Sequence, residues 1–151
     1  MRAYSDYSLR VLMCAAARHP GRVAVDEVGE AFGISRHHLV KVMHALGRSG
    51  HLATRRGIGG GFTLARPIEE IRVGDIVRMG EEAETVIECV ERGDRDCRIF
   101  PVCRLKRVLD EAAAAFFEVL DDYSLADLLI QPSKMRVALG ISDWGATRYF
   151  S

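Results

Sequence analysis

At 151 residues, with 48% apolar and 28% charged residues, the chain has the makeup of a globular protein with room for one core and an assembly element. No run approaches the roughly 20 apolar residues of a membrane span, and Ser5, Asp6 and Ser8 interrupt the N-terminal apolar positions before a secretory core develops, so a cytoplasmic protein is expected. The formal net charge is zero but unevenly spread: between Glu30 and Glu69 there is no acid, while Arg36, Lys41, Arg48, Arg55, Arg56 and Arg66 fall in that window, a local positive end suited to a polyanion.

The first periodic segment runs from about Tyr7 to Arg18, with Leu9, Leu12, Met13 and Ala16 at helical spacing, and His19-Pro20-Gly21 ends it. Asp6, just ahead of it, is placed to cap the helix. Cys14 sits among Met13, Ala15 and Ala16 and reads as a small buried thiol. A short second helix follows in VAVDEVGEAFG, closed by Gly33. Ser35 then caps a third helix, whose Leu39, Val42, Met43 and Leu46 form an apolar stripe.

Helix, glycine-containing turn and capped helix make a helix-turn-helix, in which the second helix enters the major groove by its N-terminal residues. The DNA-contacting candidates there are Ser35, Arg36, His37, His38 and Lys41. HLATRR and GFTLAR are strand candidates joined by the glycines at 57 to 61, which predicts a β-hairpin wing carrying Arg55 and Arg56 toward the phosphate backbone. The other histidines, His44 and His51, lie in this same half and are not taken as metal ligands.

A short helix from about Val73 to Met79 bridges the wing to a stretch in which Cys89, Cys97 and Cys103 fall within fifteen residues. Beyond it, Val102, Leu105, Leu109, Ala112, Phe116 and Leu120 alternate in steps of three and four beside Val108, Ala113 and Phe117, which predicts one long helix with a wide apolar stripe. Such a helix pairs well with its twin, because a reader with one recognition helix doubles its contact by binding a two-fold related half-site. Ser124 caps a last short turn, SLADLL, and the remaining tail with Trp144 and Tyr149 has little periodicity.

The cysteine spacing, C-x7-C-x5-C, matches neither the two-residue gaps of zinc ribbons nor the C-x-x-C of thiol oxidoreductases. A reducing compartment argues against structural disulfides. Three thiolates spread over a loop suit an iron–sulfur cluster with one weak position, and a zinc ion or redox-active thiols stay open as alternatives. No acid–base pair, nucleophile constellation or phosphate loop accompanies them, so an enzyme is not expected.

The run ISRHHLVKVMHALGRSGHLATRRGIGGGFTLARP, followed by IRVGDIVR, ECVERGDRDCRIFPVCRLK and DDYSLADLL, resembles the iron–sulfur winged-helix regulators, and most of all their nitric-oxide-sensing branch. The resemblance spans roughly residues 1 to 130. It implies a homodimeric repressor that binds palindromic double-stranded operator DNA with its cluster intact, 4Fe–4S in preference to 2Fe–2S, and lets go when nitric oxide attacks. Cys89, Cys97 and Cys103 match the cluster ligands, and Asp6, reaching over from the other subunit, matches the fourth. The seven-residue first gap is longer than in many such repressors and is shared with iron-responsive relatives, which keeps an iron or redox signal as the alternative. The expected fold is mainly α with a small β-hairpin wing: a winged helix-turn-helix over 1–80, a cluster-binding loop over 81–104, a dimerisation helix and cap over 105–130, and a tail over 131–151.

Overall fold

A computed structural model describes residues 3–81 and 98–140; Cys89, Cys97, Trp144 and Tyr149 lie outside the described residues. Helix α1 (Ala3–Arg18) stands at the centre, with Ser5, Ser8, Val11, Leu12, Cys14, Ala15 and Ala17 buried. It begins four residues before the expected Tyr7. The two serines read as polar interruptions of an apolar pattern, but they face the body. Ser8 Oγ donates to the Tyr4 carbonyl at 2.9 Å and Ser5 Oγ to the Val77 carbonyl at 3.3 Å, so their hydroxyls are satisfied and their small size lets another helix come close. Asp6 therefore lies inside the first turn, not at the cap, and forms an ion pair with Arg10 one turn on at 2.9 Å.

After a turn through the cis His19–Pro20 bond, α2 (Val25–Phe32) opens with the Glu27 carboxylate accepting the Ala24 N–H at 2.7 Å. It closes on Gly33 at φ 64°, a left-handed cap that favours glycine. Helix α3 (Arg36–Arg48) buries Leu39, Val42, Met43 and Leu46 as expected. Ser35 occupies its N-cap position, yet its hydroxyl bonds to His38 Nδ1 at 2.9 Å and to no backbone N–H of the helix.

Strands β1 (Leu52–Arg55) and β2 (Gly61–Leu64) pair antiparallel, with Leu52 opposite Leu64 and Arg55 opposite Gly61. Val23 adds a third rung: its N–H donates to the Phe62 carbonyl at 3.0 Å and Phe62 returns the bond at 2.9 Å. That close approach requires a glycine at 61, because a β-carbon there would run into the Val23 carbonyl. Phe62 is fully buried and, with Val11, Leu12, Val28, Leu39 and Leu46, fills the core that α1, α2, α3 and the hairpin share.

Helix α4 (Val73–Glu81) packs along α1. Gly80 sits where a β-carbon would strike Ser5 Oγ, so the pairing of two small residues sets the spacing of these helices. Helix α5 (Arg104–Asp121) packs on α4, and Arg78 joins them, bonding both Asp121 oxygens at 2.6 Å with its guanidinium 4.6 Å from the centre of the Phe117 ring. The chain then returns to the body: the Leu125 N–H donates to the Ile71 carbonyl at 2.8 Å and the Val73 N–H to the Tyr123 carbonyl at 2.9 Å. Ser124 and Asp127 cap each other across the SLAD segment, with Ser124 N–H and Oγ each 2.7 Å from Asp127 Oδ2. These bonds hold the Asp127 carboxyl below its ordinary range, and Leu125 and Leu129 enter the common core. Part of the expected tail is ordered as α6 (Pro132–Ala138), which packs against α1 with proline in its first turn. No helix among the described residues is long and apolar enough to cross a membrane.

Candidate nucleic-acid interface and cysteine site

Helix α3 and the wing enclose an open groove of about 1250 Å³, lined by Arg36, Lys41, His44, Arg48, Arg55 and Arg56 among others. The apolar stripe turns inward, so the residues at 36, 40, 44 and 48, four apart, share the opposite face and look into the groove. The hairpin brings Arg55 and Arg56 to the facing wall. Its tip is tied back by Arg22, whose Nη1 donates to the Gly59 carbonyl at 3.2 Å. Arg66, the last base in the acid-free window, is engaged elsewhere: its Nε donates to the Gly50 carbonyl at 3.0 Å, just past the end of α3.

Of the expected DNA-contacting residues, Arg36, Lys41, Arg55 and Arg56 line this groove, whereas Ser35, His37 and His38 are exposed outside its lining. His38 is drawn toward α1, with its ring 6.1 Å from that of Tyr7. His44 was not singled out by the sequence, and Arg48 entered only as part of the acid-free window and not as a DNA-contacting candidate, although their four-residue spacing from Arg36 was there to find. Asp26, an acid in the first turn of α2 and also on the groove lining, forms an ion pair with Arg36.

Cys103 occupies the N-cap position of α5, half-buried with a free thiol, following the turn Phe100–Val102. A helix N-terminus offers unpaired N–H donors and a positive dipole end, which suits an anionic thiolate or an anionic cluster. Asp6 keeps 34% of its side chain exposed beside Arg10, so its carboxylate is reachable from outside the chain. Among the described residues no three histidine, cysteine or carboxylate side chains gather into a metal-holding group, and the other two cysteines of the motif lie beyond them. Cys14 stands apart: burial in the core pushes its thiol up to about 11, which makes it an inert packing group, as expected. His51 is likewise structural, buried and bonded through Nδ1 to Ser49 Oγ at 2.7 Å.

Comparison with known proteins follows the same lines. The HTH-type transcriptional regulator NsrR of Bacillus subtilis strain 168 is 44% identical over 127 residues, covering 83% of this chain and 87% of the relative. The regulator of the same name from Shouchella clausii is 39% identical over 140 residues, 92% of this chain and 94% of that one. Among solved structures, T. potens IscR superposes with a TM-score of 0.64 at 27% identity, covering 85% of each chain. CymR, the global cysteine regulator of B. subtilis, shares the fold with a TM-score of 0.66 at 24% identity over 85% of this chain and 94% of its own. The family model for Rrf2, described as iron-dependent transcriptional regulator, matches residues 1–131. With helix-turn-helix, wing and cationic groove in place, the chain belongs to the Rrf2 family of winged-helix transcriptional regulators, a DNA-binding and non-enzymatic group.

Proposed function

We propose that the chain is a homodimeric, cytoplasmic repressor that binds palindromic operator DNA through the α3–wing groove and releases it in response to nitric oxide. It holds an iron–sulfur cluster, 4Fe–4S in preference to 2Fe–2S, on Cys89, Cys97 and Cys103, with Asp6 of the partner subunit as fourth ligand. The observation that carries this reading is the place of Cys103: it starts the helix whose outer apolar face has no cover among the described residues, so a ligand held there acts at the root of the dimer contact.

When bound, such a cluster supplies iron that a small gas can reach at its most weakly ligated position. Cys103 then anchors the start of α5. Asp6, on leaving Arg10, ties α1 of one subunit to the cysteine loop of the other. Leu105, Val108, Phe116 and Val119, exposed by 61, 52, 42 and 58%, meet their counterparts across the two-fold axis. Because α1 packs directly on α3, such a tie sets the distance between the two recognition helices, which must match half-sites about 34–36 Å apart. Operator and intact cluster favour the same arrangement, so by linkage the loss of one weakens the other.

Anaerobic purification followed by an absorption spectrum, iron and sulfide analysis and a nitric oxide titration on operator DNA tests the reading. Brown, iron- and sulfide-containing protein that leaves DNA as the gas is added is the expected result; release on iron depletion but not with the gas would transfer the reading to the iron-responsive alternative. Colourless, zinc-loaded protein with full operator affinity would overturn both. Asp6→Ala should keep the fold and shorten cluster lifetime, and an unchanged lifetime and spectrum would leave Asp6 as a helix-start charge alone.

A further inference from the structure

We propose that Asp26 is a positioning residue for sequence recognition: it holds the Arg36 guanidinium as a reader of a guanine edge and keeps it from serving as a general phosphate contact. The inference rests on the reading of the α3–wing groove as the DNA surface.

Among the described residues lining that groove Asp26 is the one acid; their other charged side chains are Arg36, Lys41, Arg48, Arg55 and Arg56. A carboxylate facing a polyanion weakens binding to every sequence, because it cancels one of the positive charges that release counterions. Its local role in α2 is already filled, since the neighbouring Glu27 accepts the Ala24 N–H at 2.7 Å and Arg18 at 2.9 Å. Asp26 instead reaches ten residues ahead in sequence to Nη1 of Arg36, the first residue of α3. The two side chains are 67 and 64% exposed, and exposed pairs contribute little to stability. What the contact does control is direction. It occupies one arm of the guanidinium and limits the orientations of the remaining donors, at the end of the helix that reads base edges. A planar fork so held can meet O6 and N7 of guanine together, which a freely rotating one does only at an entropic cost. A specific reader gains by discriminating against random DNA as much as by binding its own site.

The test is Asp26→Asn, close in shape and uncharged, in cluster-loaded full-length protein. Binding sites are first selected from a randomised duplex pool with the unaltered protein, and affinities for the selected duplex and a random duplex are then measured across a salt series. The variant should bind random DNA about three- to tenfold more tightly, with a salt slope steeper by about one per subunit as Arg36 takes up a phosphate. Its ratio of specific to random affinity should fall at least tenfold, and sites selected with it should lose one guanine preference per half-site. On an Arg36→Ala background, Asp26→Asn should leave the ratio unchanged within twofold. Equal gains on both duplexes, with the ratio intact, would overturn the proposal and leave Asp26 a repulsive charge; a changed ratio on the Arg36→Ala background would overturn it by making Asp26 a reader in its own right. Failure of the unaltered protein to select any sequence would overturn the groove assignment together with the proposal.

Discussion

Helix α1 and helix α5 are near in length, 16 and 18 residues, and differ in almost every other respect. Seven residues of α1 are buried on nearly all sides, including two serines, because α2, α3, α4, the hairpin and α6 converge on it. None of α5 is buried. Its half-buried positions, Lys106, Leu109, Ala113, Phe117 and Leu120, share one side, on which Phe117 meets Arg78 of α4, while Leu105, Val108, Ala112, Phe116 and Val119 repeat the same spacing one residue earlier and are exposed. The wide apolar stripe of the sequence is thus two stripes, one half-covered and one left open among the described residues. A helix with both sides apolar belongs between two bodies, and the proposed dimer supplies the second.

That contrast can be broken from either side. Phe62→Ala should cost about 3–5 kcal/mol, the range for emptying a fully buried aromatic site, and chemical unfolding should show it; a loss below about 1 kcal/mol would mean that the winged body is not the stable unit. The pair Val108→Glu and Val119→Glu should leave the helical circular dichroism signal intact and weaken self-association about a hundredfold, roughly 2.7 kcal/mol, in sedimentation equilibrium. An unaltered dimer would show that another surface makes it. Gly80→Ala inserts a methyl group against Ser5 Oγ and should destabilise by about 1–3 kcal/mol through overpacking, with the companion Ser5→Gly recovering part of the loss; no recovery would place the strain elsewhere.

The smallest effect concerns pH. Burial, with Arg66 nearby, holds His51 below its ordinary value of 6.5. The unfolded chain therefore binds a proton that the folded chain refuses just below that value, so the stability from a neutral His51 is present above 6.5 and lost as pH falls through the folded-state value. His51→Gln should flatten that part of the stability profile of the winged body and leave self-association through α5 untouched. An unchanged profile would assign the slope to other groups.

The helix-turn-helix was legible in the sequence because each element carried its own signal: the Leu39, Val42, Met43 and Leu46 stripe, the stop at Gly33, and the glycine-rich hairpin turn. The start of α1 was not, since Ser5 looks like a surface residue until α4 is seen to need a small neighbour there, and Ser8 until it is found buried. Asp6 changed from a cap to a first-turn acid for the same reason. The groove was half legible. Charge marked Arg36, Lys41, Arg48, Arg55 and Arg56, but only folding turned His44 and Arg48 toward the wing and His38 toward Tyr7. The short helix α6 escaped because a seven-residue segment has too few turns to show a period.

What the sequence by itself determined is the order of the elements, the inert Cys14, the acid-free window and the family of the chain, all of which rest on residue type and short spacing. What the tertiary structure decided is which side of each helix is answered by a neighbour. Burial is a relation between segments far apart in the chain: Ser5 with Val77 and Gly80, Gly61 with Val23, Ile71 with Leu125, Asp26 with Arg36. Periodicity announces that a face is apolar, and only packing says whether the chain itself covers it.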